Sequence, residues 1–459
     1  MLNKAASLDP SGIGIELDSN KPNWYDALNS LPGLFGSSTN ETFELKRLLM
    51  LMKTVLQQAG DKVETVHVPV EASDFLHKLT AAFRDMAGFA QWDARCSAKE
   101  TFREKTFTGV SGTEFQLAKS TFLQFADVVL AALDTGLNAA IDPGSGLPLS
   151  YFSHEATDWE ETGAVRNGHP LVRVKAFRRR ALPLFLEGIV HAMRSENDPE
   201  KVRRLHRLVL SSGLYDHKLK MFKVNASLAK EGYEIGRNRA FPAGWLENES
   251  IWLHMEYKYL LALLRKGLVP EYFEAAKTAL IFQLDPHTYG RSILENSLFI
   301  CSSAFYDESR HGRGYYARLS GSTAEFIHLW LLMVIGATPF HLDRKGRLCL
   351  TFAPAIPGSY FTTQPEMVPC HAENGADTLL EVPANAFAFR FLGHIPVVYL
   401  NPGRRDTWSE QAAIASVRIF GTGKSLLHTS KAATLTGEWA ERIRDGDPAI
   451  ARVEVSFRA

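Results

Sequence analysis

At 459 residues the chain is too long for one small core and fits one large domain, or a large domain with a smaller companion. Lysine plus arginine and aspartate plus glutamate balance at 51 each, which removes the electrostatic footprint of a general nucleic-acid or polyanion binder. Four scattered cysteines, Cys96, Cys301, Cys349 and Cys370, have no close metal spacing and read as thiols of a reducing compartment; His371 beside Cys370 does not complete a metal site, so none is expected.

The chain start lacks the apolar run of a signal peptide, and no apolar run of about 18 residues follows it, so a cytoplasmic protein with no membrane partner is the expectation. Residues 1–22 show no period and read as a lead-in. Next comes Asn23-Trp24-Tyr25-Asp26-Ala27-Leu28-Asn29, which sets one carboxylate beside two aromatic rings ahead of a Pro32-Gly33 turn. Asp26 fits either a turn-bracing carboxylate or a general acid whose pKa Trp24 and Tyr25 raise by desolvation.

Ser38 and Glu41 form a capping box, and Leu45, Leu48, Leu49 and Met52 mark one face of a helix to about Gln58. Further helices are predicted from about Ala72 to Ala90 and from about Glu114 to Ala140, the latter interrupted near Gly136 and stopped by Asp142-Pro143-Gly144. Residues 143–172 read as one long polar loop. Helices then resume from Val174 to Ser195, kinked at Pro183, and from Glu200 to Ser211.

After a weak stretch at 213–236 comes the block Gly244 to Tyr257, containing Glu247, Trp252 and His254. It leads into a helix through Leu260, Leu261 and Leu264, and a partner helix from Glu271 to Leu284 follows. Residues 287–322 are mostly loop, with Arg291, Glu295 and Asn296, and end on Leu319-Ser320-Gly321-Ser322 ahead of an apolar helix, Thr323 to Ile335. Ser320 and Gly321 at a helix start suit an anion, or a plain serine cap; His254 suits an anion ligand, or a core histidine. From about 346 the pattern turns to short strands, including Leu348 to Phe352, Phe387 to Phe391, Val397 to Leu400 and Ile450 to Phe457.

The order and spacing of the blocks at Asp26, at 247–254 and at 320–321 resemble the inverting cellobiose and chitobiose phosphorylases of glycoside hydrolase family 94 and related β-glucan phosphorylases. Trp24-Tyr25-Asp26 is similar to that family's Trp-Asn-Asp, which carries the general acid. Glu247 to His254 matches the spacing of its Glu-Asn-Gly-Gly-Ile-Phe-Cys-His, which carries a phosphate-binding histidine, and Ser320-Gly321 looks like its phosphate-binding Thr-Gly turn. The resemblance implies Asp26 as general acid and His254, Ser320 and Gly321 as phosphate ligands. The sugar is assigned to Trp24, Tyr25, Glu247, Trp252 and Glu295. No cofactor is implied beyond inorganic phosphate as co-substrate.

The fold implied is mainly α: an (α/α)6-barrel-type catalytic portion over 1–340, incomplete at its N-terminus, and a small C-terminal β domain over 341–459. The family's N-terminal β-sandwich and its Arg-Asp sugar motif have no counterpart before residue 20, so the chain reads as the C-terminal half of a longer enzyme. Two alternatives stand beside a phosphorylase of β-linked gluco-oligosaccharides. One is an inverting hydrolase or glucan transglycosylase, with Glu247 or Glu295 as a base for water. The other is a non-catalytic half-enzyme that needs a complementary N-terminal chain or a second copy.

Overall fold

The computed structural model describes residues 1–17, 36–317, 320–371 and 377–458. Trp24, Tyr25 and Asp26 lie outside the described residues. In chain order the first elements are α1 (Leu2–Ala6), β1 (Ile15–Glu16), β2 (Gly36–Ser38), α2 (Thr39–Gln58), β3 (Thr65–Pro69), α3 (Val70–Asp85), α4 (Gly88–Lys105), β4 (Glu114–Ala118) and α5 (Lys119–Ala139). Then come β5 (Tyr151–Arg166), β6 (His169–Ala181), α6 (Leu186–Ser195), α7 (Pro199–Leu210), β7 (Tyr215–Asp216), β8 (Met221–Phe222), α8 (Arg237–Ala240), β9 (Ile251–Trp252), α9 (Leu253–Arg265), α10 (Val269–Ala279), α11 (Pro286–Tyr289), β10 (Ser297–Ile300), β11 (Gly314–Ala317) and α12 (Ser320–Ile335). The last are β12 (Phe340–Leu342), β13 (Leu348–Thr351), β14 (Glu366–His371), β15 (Asp377–Val382), β16 (Ala386–Phe391), β17 (Ile395–Leu400), β18 (Ile414–Phe420), β19 (Leu426–Ser430), β20 (Thr434–Thr436), α13 (Glu438–Arg444) and β21 (Arg452–Phe457).

This order corrects the expected mainly-α barrel with a small β domain. Helices hold 41% of the residues and strands 26%, the latter spread over many small sheets. Four of those sheets lie before residue 320, in the part expected to be all helix. The largest difference is β5 and β6, which occupy the stretch read as a polar loop and the start of a helix. Asn167 and Gly168, both at positive φ (53° and 81°), form the two-residue turn that joins them. Asn-Gly is the residue pair such a turn selects, because both positions need the left-handed region.

The chain divides into two compact units: residues 1–262 with 275–322, and residues 263–274 with 323–459. The second unit therefore begins at Thr323 and takes in a short earlier segment, where a boundary at 340 was expected.

In the first unit, α2, α3, α4 and α5 surround a core of Leu45, Leu49, Phe75, Leu79, Phe125 and Val129. Ser38 caps α2, its hydroxyl accepting from Asn40 N at 3.1 Å. Gly136 does not interrupt α5. A Cβ there would lie 1.9 Å from the Gly12 carbonyl, so the glycine lets the 9–14 loop pack against the helix. That loop is tied by the buried Asp9 carboxylate, which accepts from the Ser11, Ile13 and Gly14 amides and from the Ser37 hydroxyl. Beside it the Arg95 guanidinium, 1% exposed, donates to the carbonyls of Ala6 (3.1 Å) and Leu8 (2.8 Å).

In the second unit, β16-β17-β21-β18-β19 form a sheet, antiparallel except for the parallel β17–β21 pair. Tyr399 on β17 donates its hydroxyl to the Val334 carbonyl at 2.6 Å, satisfying a carbonyl in the last turn of α12. Among the described residues no helix is long and apolar enough to cross a membrane, and no three His, Cys, Asp or Glu side chains are grouped to hold a metal ion.

Candidate functional site

The site is built on the turn ahead of β9. Gly244 has φ 81°, and a Cβ on it would stand 2.5 Å from the Phe305 amide nitrogen, so only glycine fits. Trp245 and Asn248 close the turn through paired backbone hydrogen bonds, and the Trp245 ring packs on Phe299, Phe305 and Tyr315. Leu246 and Glu249 also sit in the left-handed region, at φ 50° and 56°. Such a conformation costs a non-glycine residue on the order of 1–2 kcal/mol.

The surroundings of Glu249 offset that strain. Its carboxylate pairs with Lys223 at 2.9 Å, with the two side chains 10% and 13% exposed. Its amide donates to Asn225 Oδ1 at 2.8 Å, and its carbonyl accepts from the Ser302 hydroxyl at 2.6 Å. Asn225 is fully buried and uses its amide group to hold the Glu247 carbonyl at 2.7 Å. The Glu247 carboxylate is gripped by both arms of the Arg237 guanidinium. A bidentate ion pair of this kind is the strong form of a charged hydrogen bond.

From this turn β9 runs straight into α9, so His254 is the second residue of the helix. β9 pairs with β10, and β10 with β11, which leads towards α12. The three-stranded sheet thereby brings two helix starts together. A Cβ on Gly321, the second residue of α12, would lie 2.8 Å from His254 Nδ1 and 3.0 Å from Cε1. The half-buried imidazole therefore lies directly against the glycine backbone in the first turn of a 16-residue helix. First-turn amides have no partner within their helix and carry the positive end of its dipole.

Ser320 opens α12, and its side chain lies outside the description. Trp252 is 8% exposed, too buried for an open stacking surface, and its indole N–H has no hydrogen-bond partner among the described residues. Glu295 is exposed and lies 3.6 Å from Arg291. The next residue, Asn296, accepts from the Tyr257 hydroxyl at 2.9 Å, which ties the start of β10 to the second turn of α9. The sequence signalled none of Lys223, Asn225 or Arg237, and marked Asn296 only as a loop residue, because their roles depend on contacts far apart in the chain.

Glu256 is a further residue to which the sequence reading gave no role, although a carboxylate in an otherwise apolar helix is a signal in itself. It is fully buried on α9, and burial pushes its carboxyl well above the usual carboxylate range, against the single Phe222 amide that favours the ionised form. The nearby buried Tyr259 hydroxyl is raised too, first by desolvation and then by Glu256. The folded chain therefore keeps a proton on Glu256 that the unfolded chain releases above its ordinary value of 4.5. Its contribution to stability is complete below that value and is lost as pH rises through the folded pKa.

Glu256→Gln removes this dependence. The thermal midpoint of the variant relative to the native chain is expected to rise as pH climbs from about 5 into the alkaline range. Differential scanning fluorimetry across that range checks it, and a midpoint difference that stays constant with pH refutes the assignment.

Compared with known proteins, the chain matches no family model and no curated protein.

Proposed function

We propose that the chain is an inverting glycoside phosphorylase of β-linked gluco-oligosaccharides, with inorganic phosphate as nucleophile and Asp26 as general acid. The observation that carries this reading is the packing of His254 against Gly321 at the start of α12. A phosphate set there would meet an imidazole and the positive end of a helix dipole, the arrangement that favours an anion. Ser320, the other phosphate ligand in this reading, opens the same helix.

In the step, Asp26 gives its proton to the glycosidic oxygen as the bond to the anomeric carbon breaks. A phosphate oxygen attacks that carbon from the opposite face, which inverts a β-glucoside to α-glucose 1-phosphate. Hydrolysis with inversion needs a carboxylate free to take a proton from water on that face. Glu247 is instead held by Arg237, and Glu295 stands beside Arg291. Phosphate arrives already anionic, so an anion site replaces the base. The reading needs no cofactor beyond phosphate and fits a cytoplasmic setting, in which Cys96, Cys301 and Cys349 stay free thiols.

The test runs the reaction backwards. The chain is incubated with α-glucose 1-phosphate and a panel of β-linked gluco-oligosaccharide acceptors, and phosphate release is followed. Release that depends on the acceptor supports the reading, and the preferred acceptor reports the linkage. Reducing sugar liberated from oligosaccharide without any sugar 1-phosphate overturns it in favour of hydrolysis.

A further inference from the structure

A second site, independent of the phosphorylase reading, opens among four helices of the first unit. α2, α5, α6 and α7 leave a cleft of about 520 Å³ between them. Its floor is a small apolar cluster of Phe43, Leu137 and Ala192 with Leu205 packed against it, separate from the main core. That volume is in the range of small-molecule sites, roughly 300–1,000 Å³, and the lining is about evenly apolar and polar, with Asp134 and Glu196 among the polar residues.

The helix periodicity explains the lining. α7 turns Lys201, Arg204, Leu205 and Leu208 into the cleft, at i, i+3, i+4 and i+7, so one face carries cations at its start and leucines further along. α2 contributes Phe43, Lys46 and Met50 at i, i+3 and i+7. The charges around the rim are mostly matched: Lys46 pairs with Asp134 at 2.7 Å, and Lys201 lies 3.6 Å from Glu196. Arg204 lines the same cleft and has no ion pair or hydrogen bond among the described residues.

One unmatched guanidinium above an apolar floor selects a ligand of matching form. We propose that this cleft binds an organic monoanion with an apolar body, its carboxylate or sulfonate at Arg204 and Lys201 and its body on Phe43, Leu137, Ala192 and Leu205. An inorganic anion would leave the floor uncovered, and a neutral apolar molecule would leave Arg204 without a partner. The planar donor fork of arginine suits a carboxylate or sulfonate group.

The probe is 8-anilinonaphthalene-1-sulfonate, followed by fluorescence and displaced by octanoate or by octan-1-ol. The native chain is expected to bind the probe at one saturable site and to release it to octanoate at lower concentration than to octanol. Arg204→Glu, a change at an exposed position of α7, is expected to weaken octanoate at least about tenfold while leaving octanol unchanged. Ala192→Met fills the floor and is expected to weaken both competitors. Equal competition by octanoate in the native and Arg204→Glu chains overturns the proposal, as does equal competition by octanoate and octanol in the native chain. The Arg204→Glu result stands whether or not the floor variant folds.

Discussion

Asp26→Asn is expected to lower turnover of an oligosaccharide by about a thousandfold, near the middle of the range that general acid catalysis supplies. The amide has the shape of the carboxyl group but cannot release a proton, so the departing sugar would leave as an alkoxide. The size of the loss should therefore depend on the leaving group. A nitrophenyl β-glucoside leaves as a stable phenolate and needs little protonation, so the variant is expected to process it within about tenfold of the native rate. Phosphate is held by His254 and the start of α12 in this reading, so its KM should stay near the native value. Measuring kcat on both substrates, with phosphate varied, separates the roles. Equal losses on the two substrates would make Asp26 a structural residue, and no loss on either would remove it from the reaction.

Sequence periodicity served well where an element buries one face. The capped start of α2, the body of α7 from Glu200 and the strands β13, β16, β17 and β21 all show in the residue pattern, because burial sorts apolar from polar residues along them. The β5–β6 ribbon escaped because most of its residues are exposed on both faces, which erases the alternation; Asn167-Gly168 was the signal that remained. α4 escaped for a related reason. Its buried face carries Arg95, whose charge hides an inward position that long-range backbone carbonyls satisfy.

The candidate site divides in the same way. His254 and the 320–321 turn are visible as separate short blocks, whereas their meeting depends on β9, a two-residue strand too short to show any period. The block that Glu247 to His254 resembles has glycine where this chain has Glu249 at φ 56°. That substitution looks prohibitive until Lys223, Asn225 and Ser302 are in place around it.

Gly321→Ala is expected to raise the KM for phosphate and cut kcat/KM about a hundredfold, while thermal stability holds or improves. The two effects have separate causes. Alanine favours a helix over glycine by roughly 1 kcal/mol, so local stability gains. The added Cβ, however, would stand 2.8 Å from His254 Nδ1 and 3.2 Å from Cγ, nearer than carbon and nitrogen tolerate, so the imidazole has to swing away. A displacement of about 1 Å in a positioned group is enough to cost on the order of a hundredfold in rate. If the loss comes from moving His254, it disappears once the imidazole is gone. His254→Ala/Gly321→Ala should then be no worse than His254→Ala alone, a non-additivity that marks two residues acting through one contact. Phosphate kinetics on the native chain, the two single variants and the double variant complete the cycle. Additive losses would mean that Gly321 and His254 act separately, and would dissolve the anion site on which the phosphorylase reading rests.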